Sequence, residues 1–495
     1  MFVSKSMTAK VITVRPETSI IEARALMKEH HIRHLPVVED GAFLVGIITD
    51  RDIRSALPAA FYAKSDTHPE AGEAAAIKVG DIMTANPHTV SPEDTIEDAL
   101  LQIQTMRVGA FPVVDCQGRL QGLISVRDLL RAFINVLGIG DPHYDHLAIK
   151  VRDALTEYYR IDDMHNYDEV LRACGFFTHK YGKIDRFESL NEYWLSTEAR
   201  IRDDFNIFGV RGRDIDSIRR KSRMKNQFRE AGVPVPRGRV VQTMEDARGL
   251  IRETGYPVVA KPDAGVGALD TYRLDSDEDL VTFFESKPAV EYMMEEFISG
   301  TIYSFDGLAD SDGNLVFCTA HTFSQGIMET VNEARHIYYY SLREIPATLE
   351  ALGCRCIKAF EVSERFFHIE FFQTAPDTYM GLEVNMRPPG GFTTDMFNYA
   401  CDIDIYRVWA ELLVHRRTEL PYTRKHHCCY ASRKNNLRYR HGHEEIMTRY
   451  SDFIVQVASV PGVFSSALGD IGYIFRSAKL DDIVEIIDFI HTSEN

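Results

Sequence analysis

GLEVNMRPPGGFTTDM, residues 381–396, decides the reading of this chain. An apolar strand delivers Glu383, Asn385 and Arg387 at two-residue spacing, which puts all three side chains on one face. Carboxylate and amide oxygens suit a hard cation such as Mg²⁺, and a guanidinium beside them suits a phosphoryl oxygen. Pro388-Pro389-Gly390-Gly391 then stops the strand and bares backbone N–H groups. Taken alone, the triplet is equally an edge strand with a solvated polar face. Glu370 changes that balance. It lies in FFHIEFFQ (366–373), an aromatic-rich strand separated from the first by a turn at 374–377. Two antiparallel strands would set Glu370 across from Glu383, where the carboxylates repel unless a divalent ion bridges them to an ATP phosphate.

The other half of a nucleotide site lies upstream. YPVVAKPDAGVGA (256–268) is an apolar strand carrying Lys261, followed by a loop in which Gly265 and Gly267 allow close backbone approach to phosphates. No Gly-Lys-Ser/Thr follows the glycines, so this is not a Walker A loop, and the G-x-x-G end of a dinucleotide fingerprint is missing. An ordinary hairpin turn is the alternative. Lys221, in RRKSRMKNQFREAGVPVPRG (219–238), is by itself a basic residue on a solvated helix face.

In this order the segments resemble the ATP-grasp superfamily over roughly residues 216–420. The resemblance implies two α+β subdomains that grip ATP between them. It makes Lys221 and Lys261 the phosphate-contacting lysines, with Lys261 also catalytic, and Gly265 and Gly267 the loop over the phosphates. In VEYMMEEFISG (290–300), Glu295, Glu296, Phe297 and Ile298 resemble the adenine hinge. Glu370, Glu383 and Asn385 look like the ligands of Mg²⁺, with Mn²⁺ as the alternative ion. Arg387 resembles the catalytic arginine that steadies the transferred phosphoryl group. Ile302 stands where many members carry an acid, and Asp306 is the nearest carboxylate. Family resemblance also implies the reaction: a carboxylate is phosphorylated to an acyl phosphate, which an amine or other nucleophile attacks, carbon–nitrogen bond formation being the first expectation. A phosphotransferase on the same fold and a nucleotide sensor without turnover are the alternatives.

The first quarter is an internal duplication. Met7-Thr8 recurs as Met83-Thr84, Pro16 as Pro92, Pro36 as Pro112, Gly46 as Gly122 and Asp52 as Asp128, always 76 residues apart. Each copy reads as a leading strand, an apolar-periodic helix, two short strands and a closing helix. The copies, about 1–57 and 78–135, resemble a cystathionine β-synthase (CBS) domain pair. GIITDRD (46–52) and GLISVRD (122–128) carry the strand-to-helix turn, so Thr49 with Asp52, and Ser125 with Asp128, are implied to hold the phosphate and ribose of an adenine nucleotide effector. Plain helix capping is the competing role for the hydroxyls.

Residues 57–80, rich in Ala, Pro and Gly, read as a linker. Residues 136–215 are expected to form a reduced Rossmann-like lobe before the ATP-grasp domain, with strands at 157–161 and 184–188 and a helix through 192–205. The fold class is thus a multidomain mixture of α/β and α+β: the CBS pair (1–135), the reduced lobe (136–215), the two-subdomain ATP-grasp fold (216–424) and a C-terminal α+β piece (425–495), in which no site is expected.

Composition narrows the partners. The chain has 495 residues, 45% of them hydrophobic, and a net charge of −17. That charge argues against nucleic-acid or anionic-membrane partners, which need a basic surface. Eight cysteines without zinc spacing read as buried reduced thiols. No apolar stretch approaches about 18 residues, and the N-terminus is no signal peptide. A cytoplasmic homo-oligomer acting on a small carboxylate and a nucleophile is the expectation.

Overall fold

The 76-residue offset of the sequence repeat is also the offset of two hydrophobic cores. The computed structural model describes residues 2–30, 32–56, 76–106, 108–126, 128–129, 135–265, 270–324 and 335–494. They divide into two compact units, 1–181 and 182–495. In the first unit, the helix Ile20–Glu29, capped by Ser19, packs on β1 (His34–Glu39) and β2 (Phe43–Thr49). The second copy repeats this with the helix Ile96–Met106, β4 (Ala110–Val114) and β5 (Leu120–Ser125). Both antiparallel pairs slip register at the equivalent step, Val37/Val38 and Val113/Val114.

Val14, Ile20, Ala23, Met27, Leu35, Val37, Ile48 and Ile53 fill one core, and Val90, Ile96, Ala99, Ile103, Phe111, Val113, Ile124 and Leu129 fill the other. The ninth member of each crosses over. Val79 completes the first core and Val3 the second, so the opening segment of each copy packs in its sibling. The strands follow suit: β3 (Thr84–Ala85) pairs with β2, and Thr8 bridges Leu123 of β5. The linker stretch 57–75 lies outside the described residues. The unit ends with a parallel pair, β6 (Leu137–Gly140) and β7 (Glu157–Arg160), and the helix Tyr167–Tyr181.

The second unit holds two sheets. The smaller runs β10-β9-β11-β8, formed by β8 (Gly238–Val241), β9 (Val258–Pro262), β10 (Tyr272–Leu274) and β11 (Tyr292–Glu296). The helices Met244–Thr254 and Asp277–Ser286 share its core through Leu250, Leu280 and Phe283. From β11 the chain passes into an eight-stranded sheet ordered β16-β15-β12-β13-β14-β17-β19-β18. Its strands are β12 (Thr301–Ala309), β13 (Leu315–Phe323), β14 (Tyr338–Ser341), β15 (Arg365–Ala375), β16 (Thr378–Asn385), β17 (His427–Arg433), β18 (Ile454–Ser459) and β19 (Ile471–Ser477). The helix Ala347–Ala359 shares one core with Phe305 and Phe367, and the helices Thr393–Cys401 and Ile405–His415 share another with Phe317 and Phe366. The C-terminal strands extend this same sheet, joined by the amphipathic helix Leu480–His491.

One expectation needs correction. Residues 184–188 form no strand, because charged side chains, not a ladder, tie them down. Arg186 pairs with Glu364, and Glu188 with the buried Arg202 and Arg365, which also share Glu198. The boundary between the two compact units falls after residue 181, within the stretch 136–215. Among the described residues no helix is long and apolar enough to cross a membrane.

Candidate functional site

β15 and β16 bring the two carboxylates together as the spacing requires. Glu370 and Glu383 are direct cross-strand partners, and Asn385 faces His368. The register slips immediately beside them, since Phe371 pairs with Gly381 and leaves Leu382 as a bulge. That bulge aims two successive carbonyls at one cation: Lys225 Nζ donates to Gly381 O at 3.0 Å and to Leu382 O at 2.9 Å. Lys225 is fully buried on the helix Lys221–Glu230, four residues after Lys221, and burial lowers its pKa to about 8. The same helix closes on β16 through Phe228, whose ring would lie 2.8 Å from a Cβ on Gly381, so only glycine fits there. Its N-terminus is capped from the loop after β9, where Asp263 accepts from Ser222 N (2.7 Å) and Ser222 Oγ (3.0 Å) and pairs with Arg220.

A cavity of about 770 Å³ opens between the two sheets. It is lined by Lys221, Lys261, Glu295, Glu296, Phe297, Ile298, Glu370, Glu383, Asn385 and Arg387. Gly265 is tied to it through Lys221, whose Nζ donates to the Gly265 carbonyl at 3.3 Å, while Gly267 lies outside the described residues. Three cation–carboxylate pairs dominate the lining. Lys221 Nζ stands 3.5 Å from Glu383, Lys261 is hydrogen-bonded to Glu295, and Arg387 Nη2 donates to Glu192 at 3.1 Å. Lys261 faces Met293 in the register, so its bond to Glu295 is a diagonal contact on one sheet face. Burial would raise the Glu295 pKa, but Lys225 and Lys261 outweigh it and hold the carboxylate ionised. Glu296 also lines the cavity, yet Arg237 takes its carboxylate at 2.7 Å.

A buried chain of acids and imidazoles supports the metal-type ligands. His368 Nε2 lies 3.0 Å from Glu370 Oε1, and His368 Nδ1 is bonded to Asp306, which also accepts from Ser304 and bonds His321 at 2.7 Å. Burial would lower the His368 pKa, but the Asp306 and Glu370 carboxylates raise it to about 10. Asp306 is therefore fully engaged beneath the site and does not face the cavity as a ribose contact would. Among the described residues no three His, Cys, Asp or Glu side chains converge as a metal cluster. The donor set is two carboxylates and an amide, which fits Mg²⁺ with its remaining positions left to phosphate oxygens and water.

Sequence reasoning missed Lys225, His368, Glu192 and the tail. A lysine at i+4 from Lys221 beside Met224 and Phe228 was the available sign for Lys225, and H-x-E for His368. Nothing local marks Glu192, which sits in the short 3₁₀ turn Glu192–Trp194. The tail, expected to carry no site, lends Phe464, Ala467 and Leu468 to the cavity wall.

In the first unit each proposed nucleotide pair is closed on itself. Thr49 Oγ1 and N donate to Asp52 Oδ2 at 2.7 and 2.8 Å, and Ser125 Oγ and N donate to Asp128 Oδ2 at 2.6 and 2.8 Å. These are reciprocal helix caps, as well as hydroxyl and carboxylate groups at a strand-to-helix junction.

Comparison with known proteins agrees with both units. Residues 3–59 and 79–135 match the CBS domain family, and residues 254–395 match the ATP-grasp domain family. Inosine-5'-monophosphate dehydrogenase of Korarchaeum cryptofilum is 40% identical over 119 residues, 24% of this chain but only 21% of that enzyme. The L-arginine-specific L-amino acid ligase of Bacillus subtilis is 24% identical over 294 residues, covering 56% of this chain and 68% of the ligase. Among solved structures, an L-amino acid ligase from Bacillus licheniformis shares the fold with a TM-score of 0.57 at 14% identity, over 73% of this chain and 92% of that one. The biotin carboxylase domain dimer of Hydrogenobacter thermophilus 2-oxoglutarate carboxylase, solved with MgADP and bicarbonate, gives 0.53 at 17%, over 74% and 86%. Duplicated cores in the first unit and a two-sheet cleft in the second, each matched by its own family, make this chain a CBS domain pair followed by an ATP-grasp domain, with the fold seen in L-amino acid ligase.

Proposed function

We propose that the second unit is an ATP- and Mg²⁺-dependent ligase that activates a carboxylate as an acyl phosphate for attack by an amine or another nucleophile. The observation that carries this reading is the convergence of Lys221, Lys261, Arg387 and the Glu370–Glu383–Asn385 row on one cavity. Lys221 and Lys261 exchange their carboxylate partners for phosphate oxygens, and the Glu295–Ile298 backbone holds the adenine edge. Gly265 and Gly267 bring the loop close to the phosphates. Glu370, Glu383 and Asn385 would hold Mg²⁺, or Mn²⁺ in its place, and the ion would supply neutralisation of phosphate charge. Arg387 steadies the substrate carboxylate in line with the γ-phosphate.

Two bond exchanges complete the cycle. A carboxylate oxygen bonds the γ-phosphorus as the bond to the ADP oxygen breaks. The nucleophile's nitrogen then bonds the acyl carbon, phosphate leaves, and the amine proton passes to solvent. Adenine nucleotides at Thr49/Asp52 or Ser125/Asp128 modulate this turnover in the same reading, since both carboxylates can accept ribose hydroxyls in place of their caps. Assembly as a homo-oligomer and a cytoplasmic setting belong to it as well.

Hydroxylamine trapping tests the chemistry. With MgATP and pools of small carboxylic acids, the expected products are ADP, phosphate and a hydroxamate, and ¹⁸O in the carboxylate should appear in the phosphate. ADP without label transfer would favour a phosphotransferase, AMP with pyrophosphate an adenylating enzyme, and bound ATP without turnover a sensor.

A further inference from the structure

Arg387 and Glu192 form an ion pair inside the cavity, and that pairing constrains what can replace it. Glu192 is 15% exposed in its side chain and Arg387 21%, and Arg387 is the sole hydrogen-bonding partner of the Glu192 carboxylate among the described residues. Residues around the turn fix its position. Asn191 Oδ1 accepts from Tyr193 N at 2.9 Å, and the segment is anchored on both sides by Glu188 and Glu198 at the buried Arg202 and Arg365. Burial disfavours ionised Glu192, and Glu383, on β16 just before Arg387, is a second negative charge that adds to this, while Arg387 and Lys221 oppose it.

A ligand that is only an anion would take Arg387 and leave Glu192 a partly buried carboxylate beside Glu383 with no hydrogen-bonded cation, Lys221 acting on it only at a distance. A zwitterion satisfies both halves: its carboxylate takes the guanidinium and its ammonium takes Glu192. The cavity beyond supplies the rest of the molecule's environment. Past Pro389-Gly390-Gly391 it is walled by Phe323, Ile337, Tyr339, Phe464 and Leu468. Phe323 and Tyr339 stack at 5.2 Å, and Gly391, at φ +65°, lets the turn run against Tyr339 and Leu468. This end carries no charged side chain among those residues and suits an apolar group.

We propose that Glu192 is a specificity-determining residue that receives the ammonium of an α-amino acid whose carboxylate is held by Arg387 and whose apolar or aromatic side chain lies against Phe323, Ile337 and Tyr339. This rests on the ligase reading above and sharpens it from carboxylates in general to one class.

Hydroxylamine as the acceptor isolates the carboxylate half-reaction. With MgATP, the full chain should convert phenylalanine or leucine to the hydroxamate at least about tenfold more efficiently than 3-phenylpropanoate or 4-methylpentanoate, because the des-amino acids leave Glu192 unpaired. Aspartate should be poor. In Glu192→Gln the amino-acid KM should rise and the preference over the des-amino analogue should fall towards one, with the melting curve unchanged. Equal use of the des-amino acids by the unmodified protein would overturn the proposal while leaving the ligase reading intact. Full discrimination in a folded Glu192→Gln, or hydroxamate from des-amino acids but from no α-amino acid, would overturn it likewise. Loss of MgATP binding or of ADP formation with every carboxylate would instead defeat the ligase reading itself, and the proposal with it. Should Glu192→Gln fail to fold, the substrate series on the unmodified chain still decides.

Discussion

The two units hold their candidate ligand-binding side chains by opposite means. In the CBS pair each carboxylate is satisfied three residues away, Asp52 by Thr49 and Asp128 by Ser125. In the ATP-grasp cavity Lys261 reaches 34 residues to Glu295, Lys221 reaches across 383 − 221 = 162 to Glu383, and Arg387 reaches 195 to Glu192. A three-residue contact closes at small entropic cost and forms with the helix end itself, whereas the long pairs exist only once both sheets are in place. The Thr49–Asp52 and Ser125–Asp128 pairs are helix caps, whatever else they hold. The cavity residues are held by one another, and their pairing has no other folding role as local as a cap.

The largest test of that contrast is in the cavity. Lys261→Ala and Glu383→Gln should each lower ADP formation by about 10²–10³-fold, or ~3–4 kcal/mol of transition-state stabilisation, while circular dichroism stays native. Retained turnover in both would mean that the pairs are structural only. Next comes pH. The folded-state pKa of His368 is raised to about 10 against an ordinary 6.5, so its contribution to stability is full below about 6.5 and is lost as pH rises through about 10. In metal-free buffer the unmodified chain should lose stability over that interval relative to His368→Asn, by up to about 1.4 kcal/mol per pH unit. Both tryptophans, Trp194 and Trp409, lie in the second unit, so their fluorescence follows its unfolding. Parallel curves would remove the long-range network from the comparison. The smallest effect is in the first unit, where Asp52→Ala and Asp128→Ala should each cost about 1 kcal/mol by calorimetry, equally in the two repeats. Nucleotide stoichiometry and activity identical in the double variant and the unmodified chain would show that the caps are caps alone.

Local patterns made much of this legible. The two-residue spacing of Glu383, Asn385 and Arg387 and the turn back to FFHIEFFQ were enough to place Glu370 opposite Glu383, because strand register follows from alternation and a short connection. The duplicated core was equally open to reading, since a constant offset carries every buried position with it. The Leu382 bulge was not, because alternation does not say where a strand gains a residue. Lys225 follows Lys221 by one helical turn in the same basic run, and only the carbonyls exposed by that bulge give it a reason to be buried. Ile184 to Glu188 mixes two apolar residues with three charged ones, and the partners of Arg186 and Glu188 lie far along the chain, which no window of sequence contains. Glu192 belongs to the same kind: its meaning depends entirely on Arg387.

The crossed ninth residues of the CBS cores have a consequence for what counts as one molecule there. Val3 belongs to the second repeat's interior and Val79 to the first's, so gene duplication has left two copies that are not two modules. Neither repeat can open without uncovering its sibling's core, and a strain placed on one is carried in both. The pair is expected to melt as one body. Evolution can vary the two clefts separately, but it can keep or lose the fold only once.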